Sequence, residues 1–67
     1  MIEVSYVKNK EFTIVMANRI RVTEEKVLIW TYGNSMDKIP HDNIISIIGQ
    51  SGQMYSLDVL FNYHKEE

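Results

Sequence analysis

"IEVSYVKNKEFTIVM", residues 2–16, alternates apolar and polar side chains on both sides of a polar pair. Ile2, Val4 and Tyr6 alternate with Glu3 and Ser5, and Phe12, Ile14 and Met16 alternate with Glu11 and Thr13. Successive side chains of a strand point to opposite faces, so this period is that of two strands, each with one buried side. Asn9-Lys10 reads as a tight turn between them, which makes the segment a hairpin. The apolar sides, Ile2/Val4/Tyr6 and Phe12/Ile14/Met16, are the expected buried faces.

The same period continues beyond the hairpin. After Ala17-Asn18, Ile20 and Val22 alternate with Arg19, Arg21 and Thr23; Glu24-Glu25 then turns the chain into residues 27–32, which end at Gly33-Asn34. Pro40 lacks an amide donor, closes the short strand before it and suits the start of a helical turn. Asp42 and Asn43 favour a turn through side-chain bonds to nearby backbone. His41-Asp42 is the one adjacent histidine–acid pair. Neighbours in extended backbone point opposite ways, so Pro40-His41-Asp42-Asn43 reads as a connector and not as a dyad.

The segment "QMYSLDVLFNYHKEE", residues 53–67, fits two periods. As a strand it places Tyr55, Leu57, Val59, Phe61 and Tyr63 on one face; as a helix it groups Leu57, Leu60, Phe61 and His64. The unbroken alternation and the aromatic and β-branched content favour the strand. The expected fold is mainly β, a single small antiparallel sheet or barrel-like meander of about five to seven strands with a short helical turn near Pro40. Residues 1–67 form one domain, near the lower size limit for a self-sufficient core, where only roughly 60% of the unfolded surface is buried.

Composition narrows the function. There is no cysteine, which removes disulfides and thiol chemistry and fits a cytoplasmic chain. The start "MIEVSYVKNK" has no signal-peptide pattern, and no apolar run approaches the ~20 residues of a membrane-spanning helix. His41 and His64 stand far apart without metal-ligand spacing. "GQSG", residues 49–52, reads as a hairpin loop, since no Walker lysine follows it. None of the five serines (Ser5, Ser35, Ser46, Ser51, Ser56) sits in a nucleophile elbow. The expectation is a non-enzymatic chain without metal or cofactor.

Residues 20–48, "IRVTEEKVLIWTYGNSMDKIPHDNIISII", resemble the central part of bacterial pleckstrin-homology-like domains. Val22-Thr23, the apolar strand from Val27 to Trp30, Ile39-Pro40, and Ile44 with Ile47 carry the resemblance. It implies two crossed sheets and a closing C-terminal helix; such domains have no fixed activity, no lipid-binding residue is carried over by motif, and a lipid-head-group module enters as an alternative function. An SH3-like small barrel is the second family the segment resembles, with Ile39-Pro40 and Asp42-Asn43-Ile44 as its helical turn before a final strand.

Two surfaces are candidates for work. Alternation fails at residues 27–32 and at Ile44, Ile45, Ile47 and Ile48, which are apolar on both strand faces. A chain this small can hardly cover both, so Leu28, Trp30, Tyr32, Ile45 and Ile47 are the expected partner-binding residues, for a second copy or for another protein. Small proteins, those of phages and mobile elements among them, often act by occupying another protein's surface, and the analogy suggests a regulatory module. The second surface is basic. Lys8, Lys10, Arg19 and Arg21 form a possible stripe for an acidic partner or a nucleic-acid backbone, or else an outer face balanced by Glu3 and Glu11. A net charge of -2 argues against nonspecific nucleic-acid binding.

Overall fold

The computed structural model describes residues 1–65, with the side chains of Asn34, Tyr63, His64 and Lys65 outside the description. Seven antiparallel strands form two sheets: β1 (Ile2–Lys8), β2 (Glu11–Ala17), β3 (Arg19–Val22), β4 (Lys26–Trp30), β5 (Met36–Pro40), β6 (Ile44–Ile48) and β7 (Met54–Tyr55), followed by the helix α1 (Leu57–Lys65). The first sheet runs β2-β1-β6-β7 and the second β3-β4-β5. The expected single sheet is therefore divided in two, and no barrel closes.

The division has local causes. At Asn18 the chain leaves β2, and the Asn18 amide donates to the carbonyl of Trp30 at 2.8 Å, which starts the second sheet one residue later. The return crossing is the 3-10 turn His41–Asn43 after Pro40. That turn is bonded to both sheets. His41 Nε2 lies 2.8 Å from the carbonyl oxygen of Thr23, and Asn43 Nδ2 donates to the carbonyl of Val7 at 2.8 Å. A carbonyl only accepts, so Nε2 carries the proton. The Pro-His-Asp-Asn stretch is thus the connector expected, with its histidine committed to structure.

The core is the space between the sheets, filled by Val4, Tyr6, Ala17, Ile20, Val22, Val27, Ile29, Ile39 and Ile47. β1 behaves as its pattern requires, with Val4 and Tyr6 buried. β2 does not. Its inward side carries Thr13, Val15 and Ala17, and its outward side carries Phe12, Ile14 and Met16, which are 62%, 53% and 48% exposed. The cause is the two-residue turn. Asn9 and Lys10 both have left-handed backbone (φ 53 and 66), which pairs Lys8 with Glu11, Tyr6 with Thr13 and Val4 with Val15. Directly opposed residues share a face, so burying Val4 and Tyr6 fixes Thr13 and Val15 inward.

A bulge between β1 and β6 explains part of the isoleucine run. Ser5 pairs with Ser46 and Tyr6 with Ile44, so Ile45 has no partner on β1 and turns outward. One extra residue in a strand displaces a side chain in this way.

Residues 57–65 are helical, which corrects the strand expected there. Val59 N–H donates to Ser56 Oγ at 3.2 Å, the bond of an N-cap serine, and Asp58 lies in the first turn where the helix dipole favours an acid. Leu57, Leu60 and Phe61 pack against the core while Val59 stays 62% exposed, the division a helix makes and a strand cannot. α1 lies against β3. No described helix is long and apolar enough to cross a membrane.

Candidate functional site

The side chains on the outer face of the second sheet are set by its ladder. Arg19 pairs with Trp30 and Arg21 with Leu28 between β3 and β4; Lys38 pairs with Leu28 and Met36 with Trp30 between β4 and β5. Lys26, at the start of β4, shares their face by period-two parity. This face therefore presents Arg19, Arg21, Lys26 and Lys38 around Leu28, Trp30 and Met36. No carboxylate belongs to it. Asp37 points the other way, toward Lys8, whose Nζ lies 3.3 Å from Asp37 Oδ1.

The apolar residues here are shaded by the stems of their basic neighbours. Leu28 and Trp30 are half-buried, and long charged side chains such as their neighbours' lay their methylenes on apolar surface and keep the charge in water. The clearest case is Arg19, whose guanidinium carbon stands 4.8 Å from the Trp30 ring centroid. At such an exposed site a cation–π contact contributes about 0.5–1 kcal/mol. Among the described residues, none of the four cations takes part in an ion pair.

The two candidate surfaces, aromatic and basic, meet in the ladder. Arg19, Arg21, Leu28 and Trp30 share one face, joined by Lys26, Lys38 and Met36. Lys8 and Lys10 leave it: Lys8 is held by Asp37, and Lys10 sits in the β1–β2 turn of the other sheet. Glu3 and Glu11 are also on that other sheet and do not balance the arginines. Tyr32 lies past the end of β4 in a turn, 72% exposed, with its hydroxyl 3.7 Å from Met1 Sδ. Ile47 is only 1% exposed and belongs to the core, so it is not available to a partner. Ile45 is exposed, but on the first sheet, away from Trp30.

Apart from Ile45, the apolar residues on the outer face of the first sheet are not among the expected partner-binding residues. Phe12, Ile14 and Met16 on β2, Ile45 on β6 and Met54 on β7 are all exposed. The signal was available: a two-residue turn at Asn9-Lys10 already commits Thr13 and Val15 to the side of Val4 and Tyr6.

Two further features are structural. The "GQSG" segment is the β6–β7 hairpin loop, and its glycine amides are used internally, Gly49 N to Gln53 O at 2.8 Å and Gly52 N to Gly49 O at 2.9 Å. A groove of about 510 Å³ opens between α1, β3 and this loop, lined mainly by Ile2, Ile20, Tyr55, Val59 and Leu60 with Arg19 at its side. Its walls are mainly apolar, with Asn18 and Gln50 as polar lining residues and Arg19 as its one charged one.

Comparison with known proteins gives no match to any family model, curated protein or solved structure.

Proposed function

We propose that this chain is a non-enzymatic binding module whose second sheet takes an acidic segment of a partner protein on its outer face. The observation that carries this reading is the placement of Arg19, Arg21, Lys26 and Lys38 on one face, around Leu28, Trp30 and Met36, with no carboxylate among them. The chain as a whole carries net charge -2, so the basic face is a segregated feature and not a reflection of overall charge. Clustered like charges weaken a fold, and an oppositely charged partner offsets that repulsion. Tryptophan and arginine are among the residue types most enriched at the energetic centres of protein interfaces.

The same face argues against a second copy as its occupant, since two such faces would oppose cation to cation. A nucleic-acid reading shares the cations but needs aromatic faces open for successive bases. Here the ladder holds one aromatic residue, and Arg19 already occupies a side of its ring. The lipid-head-group reading rests on the family resemblance and on these same cations.

Trp30 is the only tryptophan, so its fluorescence reports this face directly. A labelled peptide alternating glutamate with leucine, a labelled oligothymidylate and anionic phosphatidylserine vesicles are titrated separately at low salt. The reading expects saturable peptide binding that shifts Trp30 emission, weakens with salt and disappears in Arg19→Glu/Arg21→Glu. A response to the oligonucleotide or the vesicles but not to the peptide overturns it, as does peptide binding that survives the double substitution.

A further inference from the structure

The two sheets present four edge strands, and three of them are protected. α1 packs along β3. β5 carries Asp37, Lys38 and Pro40, and β7 is two residues long. Short edges, charges, proline and a covering helix are the devices by which sheets avoid pairing with other chains. β2 has only Glu11, at its turn end. It is seven residues long, and from Phe12 to Ala17 it contains no charge and no proline.

The direction of its backbone groups follows from the turn. A two-residue hairpin makes its flanking pair, Lys8 and Glu11, a hydrogen-bonded pair, and such pairs recur at every second residue. Thr13, Val15 and Ala17 therefore bond to β1, while the N–H and C=O groups of Phe12, Ile14 and Met16 point away from it. An independent contact agrees. Val7, the ladder partner of Phe12, turns its carbonyl away from β2, where Asn43 Nδ2 donates to it at 2.8 Å. Among the described residues, no hydrogen bond joins β2 to any element but β1.

We infer that β2 is a self-association edge, and that its occupant is β2 of a second copy, antiparallel about a two-fold axis at Ile14. This register pairs Ile14 with Ile14 and Phe12 with Met16, and it lets all three outward-pointing residues of each chain exchange both backbone bonds. The match extends to the side chains. Phe12, Ile14 and Met16 share the outer face, so the pairing sets thioether against ring at both ends and isoleucine against isoleucine at the centre, with no like charges opposed. Two four-stranded sheets become one continuous sheet of eight. Strand addition alone makes a small interface, below the ~1,200 Å² of standard ones, so micromolar association is expected. The inference does not rest on the Trp30 face, and variants of that face leave it untouched.

Sedimentation equilibrium of the full chain across micromolar to millimolar concentrations tests it, with circular dichroism confirming the fold of each variant. Wild type is expected to dimerise. Ile14→Lys and Ile14→Glu should each be folded monomers, because the register sets position 14 against itself, and mixing the two should restore a dimer containing one of each. Ile14→Cys, in a chain with no other cysteine, should oxidise to a covalent dimer. A wild type that stays monomeric throughout, or a dimer that persists in both charged variants, overturns the inference. Should both charged variants fail to fold, the cysteine variant decides: no enrichment of covalent dimer over a Ser51→Cys control overturns it.

Discussion

His41 Nε2 donates to the carbonyl of Thr23 across 18 residues of chain, at 2.8 Å. The imidazole ties the β5–β6 connector to the end of β3, and the His41 amide adds a bond to the carbonyl of Glu25 at 3.2 Å. Thr23 itself closes the β3–β4 turn: its Oγ1 donates to the Lys26 carbonyl at 2.9 Å and accepts from the Lys26 amide at 3.1 Å. The two turns at this end of the second sheet are therefore held as one unit.

Replacing His41 with alanine should accordingly destabilise the chain by about 1 kcal/mol, the net worth of one hydrogen bond lost at a partly buried site. Urea unfolding at neutral pH measures it. An effect within the scatter of exposed substitutions, about 0.5 kcal/mol, would show that water replaces the imidazole without loss.

Lys10 has φ 66 in the second position of the β1–β2 turn. Side chains with a Cβ are strained there by about 1 kcal/mol, and glycine is the residue this turn type favours. Lys10→Gly should raise stability by up to about 1 kcal/mol, because relief of strain exceeds the added freedom of the unfolded chain. The comparison is made by thermal melts at a protein concentration where association is constant. A lower melting temperature would contradict the turn geometry.

The phenol of Tyr6 lies in the core between the sheets, and burial pushes its pKa above the ordinary value of 10.0, with the Asp37 carboxylate acting in the same direction and Lys8 opposing. The folded form thus holds the phenol proton to higher pH than the unfolded form. Below the unfolded value both states are protonated and nothing is lost; as pH rises above it, the unfolded state ionises first and stability falls. Tyr6→Phe should lose less stability than wild type as pH is raised above about 10. Parallel pH profiles of the two proteins would show the Tyr6 contribution to be absent.

The two readings of residues 57–65 differ in what they require of neighbours. The segment is apolar enough at most positions to satisfy both a period of two and one of 3.6, and local content favoured the strand. Its N-cap, Ser56 ahead of Leu57-Asp58, was a local helix signal of the ordinary kind. What decides the matter is burial: Leu57, Leu60 and Phe61 meet the core together only on a helix, and α1 lies against β3.

From the sequence alone come the β class, the hairpin at Asn9-Lys10, the turn at Pro40 and the apolar strand through Trp30, because these depend on local backbone preferences and on a two-residue period. The end of that strand does not, since the structure sets it at Trp30 and not at Tyr32. The tertiary structure alone decides the faces. Which side of β2 is buried depends on pairing with β1, the exposure of Ile45 depends on a bulge against a strand some forty residues away, and the union of Arg19 and Arg21 with Lys38 depends on β4 lying between their strands. A strand's alternation states that two faces differ, and only its neighbours determine which of them meets water.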